Sequence, residues 1–477
     1  MKFSEYFKLD RTQAFLDFVD VPLHTDIPVF LEPVAIKCLE SVWGNELSSL
    51  LQTFFETILR LIKEGHHENA QILLSKLNES NEFHLGYSRG KSRGHGFGPE
   101  SAKNIWGALT KSSAAVTGLL KDLEDTALLL PGIGTDMISD ALCNILRGPL
   151  IKYTQDMCVY YGIPLTPQVA SGLTWNPQTE QWEDFYADLP MTDYGKVILV
   201  PKILVRLKLS FDANEYYRHY ILPEMQHEHL QAKSQLVETL RNGNTRVTKK
   251  VLMAEYGKDK LAIVDQTRVR PQILEDYRLA KSRGVPKPLT LEQFAEIENE
   301  TLPNLTEMLA TLSKIDVGIK TATEYENIIE RIFSMLFYPS LCSPTKQSKI
   351  HDGRKRIDIR YSNEAKDGFF YWLSLHYSCP FIYVECKNYG REIGNPELDQ
   401  LAGRFSPSRG RVGILVCRSI ENKELLYKRC VDAAKDGRGF ILVLDDQDLA
   451  ELVLEYTRSK RRQEFELLKA QWRRLVN

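Results

Sequence analysis

Three charged residues in the C-terminal third are the first candidates for chemistry. The run Phe381-Ile382-Tyr383-Val384-Glu385-Cys386-Lys387 is apolar until two charges interrupt it. Such a run predicts a strand, and in a strand positions i and i+2 share a face. Glu385 and Lys387 therefore project side by side among core residues. Burying unpaired charges is costly, so the two must pair, reach solvent at a strand end, or meet a metal ion. Asp358 lies in an earlier alternating run, Arg356-Ile357-Asp358-Ile359-Arg360-Tyr361. If the two strands pair, Asp358 and Glu385 converge. Two convergent carboxylates repel unless a cation sits between them. Mg²⁺, or Mn²⁺ in its place, is a hard ion suited to oxygen ligands and substrate phosphate. Lys387 would then help to activate and hold the water that attacks phosphorus. The bland alternative is a structural salt bridge, Glu385–Lys387 or Asp358–Lys387.

Ile357-Asp358 followed by Val384-Glu385-Cys386-Lys387 resembles the PD-(D/E)xK signature of the restriction-endonuclease-like nuclease superfamily. One position departs from that pattern: isoleucine, not proline, precedes Asp358. Glu326, in the helix before the first strand, resembles the helix-borne acid of many members, with Glu330 as the alternative. Gln400, within Asn395-Pro396-Glu397-Leu398-Asp399-Gln400-Leu401, resembles the helix glutamine of the methyl-directed, type IV restriction branch. The resemblance covers residues 315–477. It implies Asp358, Glu385 and the main-chain carbonyl of Cys386 as metal ligands. It implies Lys387 as the group that positions the nucleophilic water, with Glu326 and Gln400 as supporting polar groups. The implied activity is Mg²⁺-dependent phosphodiester hydrolysis by a DNA endonuclease in bacterial defence against phage or foreign DNA, with RNA left open as substrate. Two rival readings stand beside it. One is a catalytically silent nucleic-acid-binding protein on a nuclease fold. The other is a nuclease subunit activated only by a partner ATPase, a sensor protein or a ligand. One site per chain and two strands to cut make a homodimer the expected assembly.

Basic residues cluster around this unit. Arg354, Lys355, Arg356 and Arg360 flank the Asp358 run, and Arg391, Arg404, Arg409 and Arg411 follow Lys387. Lysine and arginine beside such a site contact phosphates and make binding salt-dependent. Nucleic-acid contact is expected of Arg354, Lys355, Arg356, Arg360 and Arg391. Arg458, Lys460, Arg461 and Arg462 read equally well as a solvated helix face.

Elsewhere the signals are weaker. Gly86-Tyr87-Ser88-Arg89-Gly90-Lys91-Ser92 has three residues between its glycines where a phosphate-binding Walker loop needs four. The glycine-rich basic stretch to Gly98 reads first as a connector. Leu130-Pro131-Gly132-Ile133-Gly134 has the form of a helix-hairpin-helix turn, which offers backbone amides to DNA phosphate. Asp136 and Asp140 follow on the face where acids repel phosphate. Together with Asn144 they read first as a capped, hydrogen-bonded polar seam, with a second metal site as the alternative. His227 and His229 are spaced i, i+2, which is wrong for one helix face.

The elements that must position these residues follow from hydrophobic period and breakers. Residues 12–150 read mainly as helix, 165–212 as strands and turns, and 214–313 as charged helix. Val197–Pro201 and Ile203–Leu209 are expected as strands. Thr323-Glu324-Tyr325-Glu326 has the form of a capping box at the start of a helix in which Tyr325, Ile328, Ile329, Ile332, Phe333 and Leu336 recur at helical spacing. Beyond it the expected core order is αβββαβ, with Phe369–Tyr377 read as a connection or further strand. The expected fold class is α+β multi-domain: a helical module over 1–160, a mixed region over 161–314, and the nuclease-like α/β core over 315–477.

The chain's 477 residues carry 61 basic and 63 acidic side chains, a net charge of −2. No global basic field exists, so any nucleic-acid contact must be local. The eight cysteines are scattered with no CxxC pair, which argues against a zinc ribbon or disulfide framework. No apolar run reaches the length of a membrane span, and Met1-Lys2-Phe3-Ser4-Glu5-Tyr6 lacks a signal-peptide core. A cytoplasmic protein with no membrane contact is expected.

Overall fold

A computed structural model describes residues 1–87, 106–107, 109–110, 112–284, 286–346, 359–459 and 462–476, excepting the side chains of Ser113 and Lys346. The chain is a mixed α/β protein, and among the described residues one sheet has five strands, in the C-terminal region. The first long helix, α1 (Val42–Lys63), starts at Ser41, whose hydroxyl accepts from the Gly44 N–H at 3.0 Å. Its Leu47, Leu51, Phe54, Phe55, Ile58 and Ile62 fall on one stripe and are buried. Two further helices, α2 (Thr135–Ile145) and α3 (Arg147–Tyr161), continue the helical part.

The expected division at residue 160 is bridged by backbone. Strand β1 (Phe30–Leu31) pairs with a strand far along the chain, Val205–Arg206. Between them β2 (Thr166–Asn176) and β3 (Gln181–Leu189) form a hairpin, and Val205–Arg206 is β4. The hairpin is anchored by Trp175 opposite Trp182, with Phe54 of α1 edge-on to Trp175 at 4.9 Å. Val197–Val200 is not a ladder strand. Its backbone partners come from separate elements: Ile198 N–H donates to Glu82, Leu199 N–H to the Thr154 hydroxyl, and the Val200 carbonyl accepts from Val19. Lys202–Leu204 is a 3-10 turn leading into β4.

The C-terminal region begins with α4 (Ala322–Leu336). Because α4 starts at Ala322, Thr323 lies inside its first turn, and the expected capping box is not formed. Thr321 takes the cap position, and its hydroxyl donates to the Asp316 carbonyl at 2.5 Å. Then follow β5 (Leu341–Lys346), β6 (Ile359–Asn363), α5 (Gly368–His376), β7 (Phe381–Lys387), α6 (Asn395–Ala402), β8 (Val412–Cys417), α7 (Lys423–Lys435), β9 (Phe440–Leu444), α8 (Asp446–Arg458) and α9 (Glu466–Val476). The sheet order is β9-β8-β7-β6-β5. The β5–β6 and β6–β7 pairs are antiparallel, and the β7–β8 and β8–β9 pairs are parallel. Helices α6 and α7 make the parallel crossovers that a strand-to-strand return of this kind requires. Phe369–Tyr377 is thus mostly helix. Phe369, Phe370 and Leu373 bury one face of α5, and β5 supplies a strand before Asp358 that the apolar pattern did not announce.

The buried apolar residues form one continuous cluster from Phe3 to Leu475 that includes residues of all three expected units. Polar contacts cross it too. Asp17 accepts from the Ser343 N–H of β5 at 2.9 Å and from the Tyr153 hydroxyl at 2.6 Å. Arg11 meets Glu330 of α4 at 2.5 Å, and the Tyr160 hydroxyl donates to the same carboxylate at 3.1 Å. All eight cysteines are free thiols, seven of them buried. Among the described residues no helix is long and apolar enough to cross a membrane.

Candidate functional site

Strand β7 has a partner on each edge and is buried along nearly its whole length. Alternation puts Tyr383, Glu385 and Lys387 on one face and Ile382, Val384 and Cys386 on the other. Helix α6 lies over the first face. It opens with proline in its first turn, where a missing N–H is harmless, and Glu397 accepts from the Gly394 N–H at 3.0 Å. Gly413 of β8, in register with Tyr383, lets this helix approach. A Cβ there would lie 2.9 Å from Phe405 Cζ and 3.0 Å from Leu401 Cδ2. Only a bare backbone at 413 allows Leu401 and Phe405 to settle on the sheet and bring Gln400 over the two charges.

The resulting constellation is tight. Lys387 Nζ donates to Glu385 Oε1 at 2.5 Å and to Gln400 Oε1 at 3.1 Å, and Gln400 Nε2 donates to the same Glu385 oxygen at 2.8 Å. The Glu385 and Lys387 side chains are 1% and 3% exposed. Glu385 Oε2 is buried and accepts no hydrogen bond, and Arg404 Nη2 stands 3.7 Å from it. Burial lowers the Arg404 pKa from its usual value. The site therefore holds a carboxylate with one oxygen bonded by two donors and the other open to a further positive ligand.

The residue after the triad matters as well. Asn388 is buried, and its amide nitrogen donates at 3.0 Å to the Asp316 and Gly318 carbonyls and to the Thr321 hydroxyl. It clamps the exit of β7 to the cap of α4. Sequence reasoning missed Asn388 and the specific place of Arg404. A polar amide directly after a charged strand end, and an arginine four residues past Gln400, were the available signals.

Glu326, on α4, contributes to raising the pKa of the Cys386 thiol, after burial as the larger cause. Glu330 is committed to Arg11 and Tyr160. Asp358, Arg354, Lys355 and Arg356 lie outside the described residues, as do Ser88–Ser92 of the glycine-rich motif and Lys460 and Arg461. Strand β6 begins at Ile359, which pairs with Val384. Arg360 lays its guanidinium over the Phe381 ring at 4.4 Å and donates to the Thr345 hydroxyl at 3.1 Å. Arg391 is well exposed, stacks on Tyr389 at 4.9 Å and meets Glu397 at 3.0 Å. Among the described residues no group of three or more His, Cys, Asp or Glu side chains could hold a metal ion.

In the N-terminal part the Leu130–Gly134 turn faces a lysine. Lys260 Nζ donates to the Leu130 and Ile133 carbonyls at 2.9 and 2.7 Å, and burial lowers its pKa to about 8. The helix that carries Asp136, Asp140 and Asn144 starts at Gly134 without a side-chain cap, and Asp136 is exposed. Asn144 donates to the Asn78 and Asp140 carbonyls, and burial, with Glu79, Asp136 and Asp26 nearby, raises the Asp140 pKa to about 8. His227 bonds Gln231, and His229 bonds Ser234 and Tyr256. Residues 8–212 are similar to a family described only as a domain of unknown function, DUF8370, a match that spans the β1–β4 pairing and ends before the C-terminal sheet. No curated protein and no solved structure matches the chain.

Proposed function

We propose that the C-terminal sheet carries a metal-dependent phosphodiesterase centre of the PD-(D/E)xK kind, acting as a DNA endonuclease in defence against foreign DNA. The observation that carries this reading is the buried Glu385–Lys387–Gln400 constellation, with Glu385 Oε2 left without a hydrogen bond. A buried ionised oxygen without a donor is costly, and a divalent ion would satisfy it. On this reading Glu385, the Cys386 carbonyl and Asp358, the residue just before Ile359, hold Mg²⁺. When bound, the ion would supply Lewis-acid charge at the scissile phosphate. Lys387 would hold the attacking water and stabilise charge developing on phosphorus oxygens. Gln400 would keep Glu385 and Lys387 in fixed orientation, and Arg391 would contact the nucleic-acid backbone.

One observation favours a second reading, a silent nucleic-acid binder. Glu385, Lys387 and Gln400 already satisfy one another, as a structural ion pair would. Cleavage of supercoiled plasmid by the purified chain separates the two. The enzyme reading expects cleavage that needs Mg²⁺ or Mn²⁺, stops with chelator, and is lost in Lys387→Ala and Asp358→Asn. DNA left intact but bound equally by the wild type and both variants would overturn it in favour of the binder.

A further inference from the structure

At the other end of the β6–β7 pair lies a cavity of about 690 Å³. It opens between the segment Lys287–Glu292, the turn Tyr338–Ser340, the residues after β6, and the link from α8 to α9. Ser362 pairs with Phe381 at this end, whereas Glu385 follows Val384 at the opposite end. Four residues of strand separate Phe381 from Glu385, about 13 Å at ~3.3 Å per residue. The cavity is therefore distinct from the carboxylate–lysine site. Its volume falls in the range of small-molecule pockets, roughly 300–1,000 Å³.

Two of its lining side chains are chemically incomplete. Glu364 and Gln463 are each 6% exposed, and Glu364 Oε2 and Gln463 Oε1 are buried acceptors with no hydrogen bond. Gln463 is not free to turn away, because its amide nitrogen already donates to the Leu336 and Tyr338 carbonyls. Burial raises the Glu364 pKa, and hydrogen bonds from the Ser41 side chain and the Glu40 backbone hold the carboxylate and lower it in part, yet its Oε2 keeps no donor. With the fixed Gln463 oxygen it calls for a ligand that brings N–H groups. The charge of the lining selects among such ligands. Among the described residues, the lining carries four carboxylates (Glu292, Glu364, Asp367, Glu464) against three cations (Lys287, Lys366, Arg462); Lys366 is drawn to Glu40 at 3.0 Å and Glu464 to Lys469, and Glu364 is the buried acid. An anionic ligand gains little here, and a cation gains a buried counter-charge. A bare metal ion would leave most of the volume unfilled. The walls supplied by Pro288, Leu289, Tyr338 and Tyr456 suit a flat apolar body.

We propose that this cavity binds a small organic cation with at least two N–H donors on a flat apolar body, held by Glu364 and Gln463. The inference is independent of the nuclease reading. Isothermal titration of the full chain with benzamidinium, against benzamide as its uncharged counterpart, tests it. The expected result is saturable one-site binding of benzamidinium, benzamide at least ~10-fold weaker, and at least a ~10-fold loss in Glu364→Gln, the scale of one charged hydrogen bond. A urea midpoint for Glu364→Gln confirms that the variant is folded, and the two-ligand comparison on wild type needs no variant at all. Equal binding of benzamide, undiminished binding by folded Glu364→Gln, or no saturation with benzamidinium in the millimolar range would overturn the proposal.

Discussion

Replacing Lys387 with methionine isolates the energetics of the buried pair. The substitution keeps the length of the stem and removes the ammonium. Glu385 then retains Gln400 as its hydrogen-bond donor on Oε1 and Arg404 at 3.7 Å from Oε2, but loses the 2.5 Å bond to Nζ. With side-chain exposures of 1% and 3%, water cannot take the lysine's place without opening α6. Removing one partner of a buried pair costs about 3–5 kcal/mol, far above the ~0–1 kcal/mol of an exposed pair. Converting both to apolar residues, Glu385→Leu with Lys387→Met, removes the stranded charge as well. That double variant is expected within ~1 kcal/mol of wild type, or more stable than it. The assay is urea unfolding of the two single variants, the double variant and wild type at pH 7, read as a double-mutant cycle. Single variants that each cost under ~1 kcal/mol, with no coupling between them, would refute the closed, dry constellation on which the site description depends.

The other expectations follow from single contacts. Gly413→Ala puts a methyl group 2.9 Å from Phe405, and displacement of α6 is expected to cost about 1–3 kcal/mol by urea midpoint and to lower any cleavage rate together with stability. Asp140 has a folded pKa of about 8 against an ordinary carboxylate near 3.8, so the native state loses stability as pH rises from about 4 to about 8. Asp140→Asn is therefore expected to raise the melting temperature at pH 8 and to have little effect at pH 4; an equal gain at both would contradict a pKa raised by burial, with Glu79, Asp136 and Asp26 adding to it. Arg391→Ala, at an exposed position, is expected to leave the unfolding midpoint unchanged while weakening DNA binding and reducing its salt slope by about one. A slope unchanged by fluorescence anisotropy would remove Arg391 from the nucleic-acid surface.

The charged strand was legible because its chemistry violates its own hydrophobic pattern. Glu385 and Lys387 stand out in an otherwise apolar run, and strand alternation alone places them on one face. Gln400 was suggested by the resemblance of its proline-opened helix to the type IV restriction branch, not by its own pattern. The long stripe of α4 and the apolar runs of β8 and β9 likewise declared themselves by period. Other parts were hidden for physical reasons. Phe369-Phe370-Tyr371-Trp372 is rich in residues that favour strands, and it becomes helix only because Phe369, Phe370 and Leu373 find a common core. Strand β5 contains Pro344 and a left-handed Ser343, which break the alternation that would mark a strand. Val197–Val200 is buried like a strand but bonds to scattered partners that no local pattern reveals. Asn388 escaped notice because its role lies in contacts with residues about 70 positions away.

Among the described residues β5 is the last strand on its side of the sheet, and Asp17 holds the Ser343 N–H there while α3 packs alongside. The N-terminal part is in this sense a cover for an otherwise open ladder. A fragment cut at residue 315 would bare that rim, strand Glu330 without Arg11, and offer unsatisfied amides to the next molecule. Such a fragment should self-associate through edge pairing. A soluble minimal version of the C-terminal sheet would need its own replacement for Asp17 and Arg11.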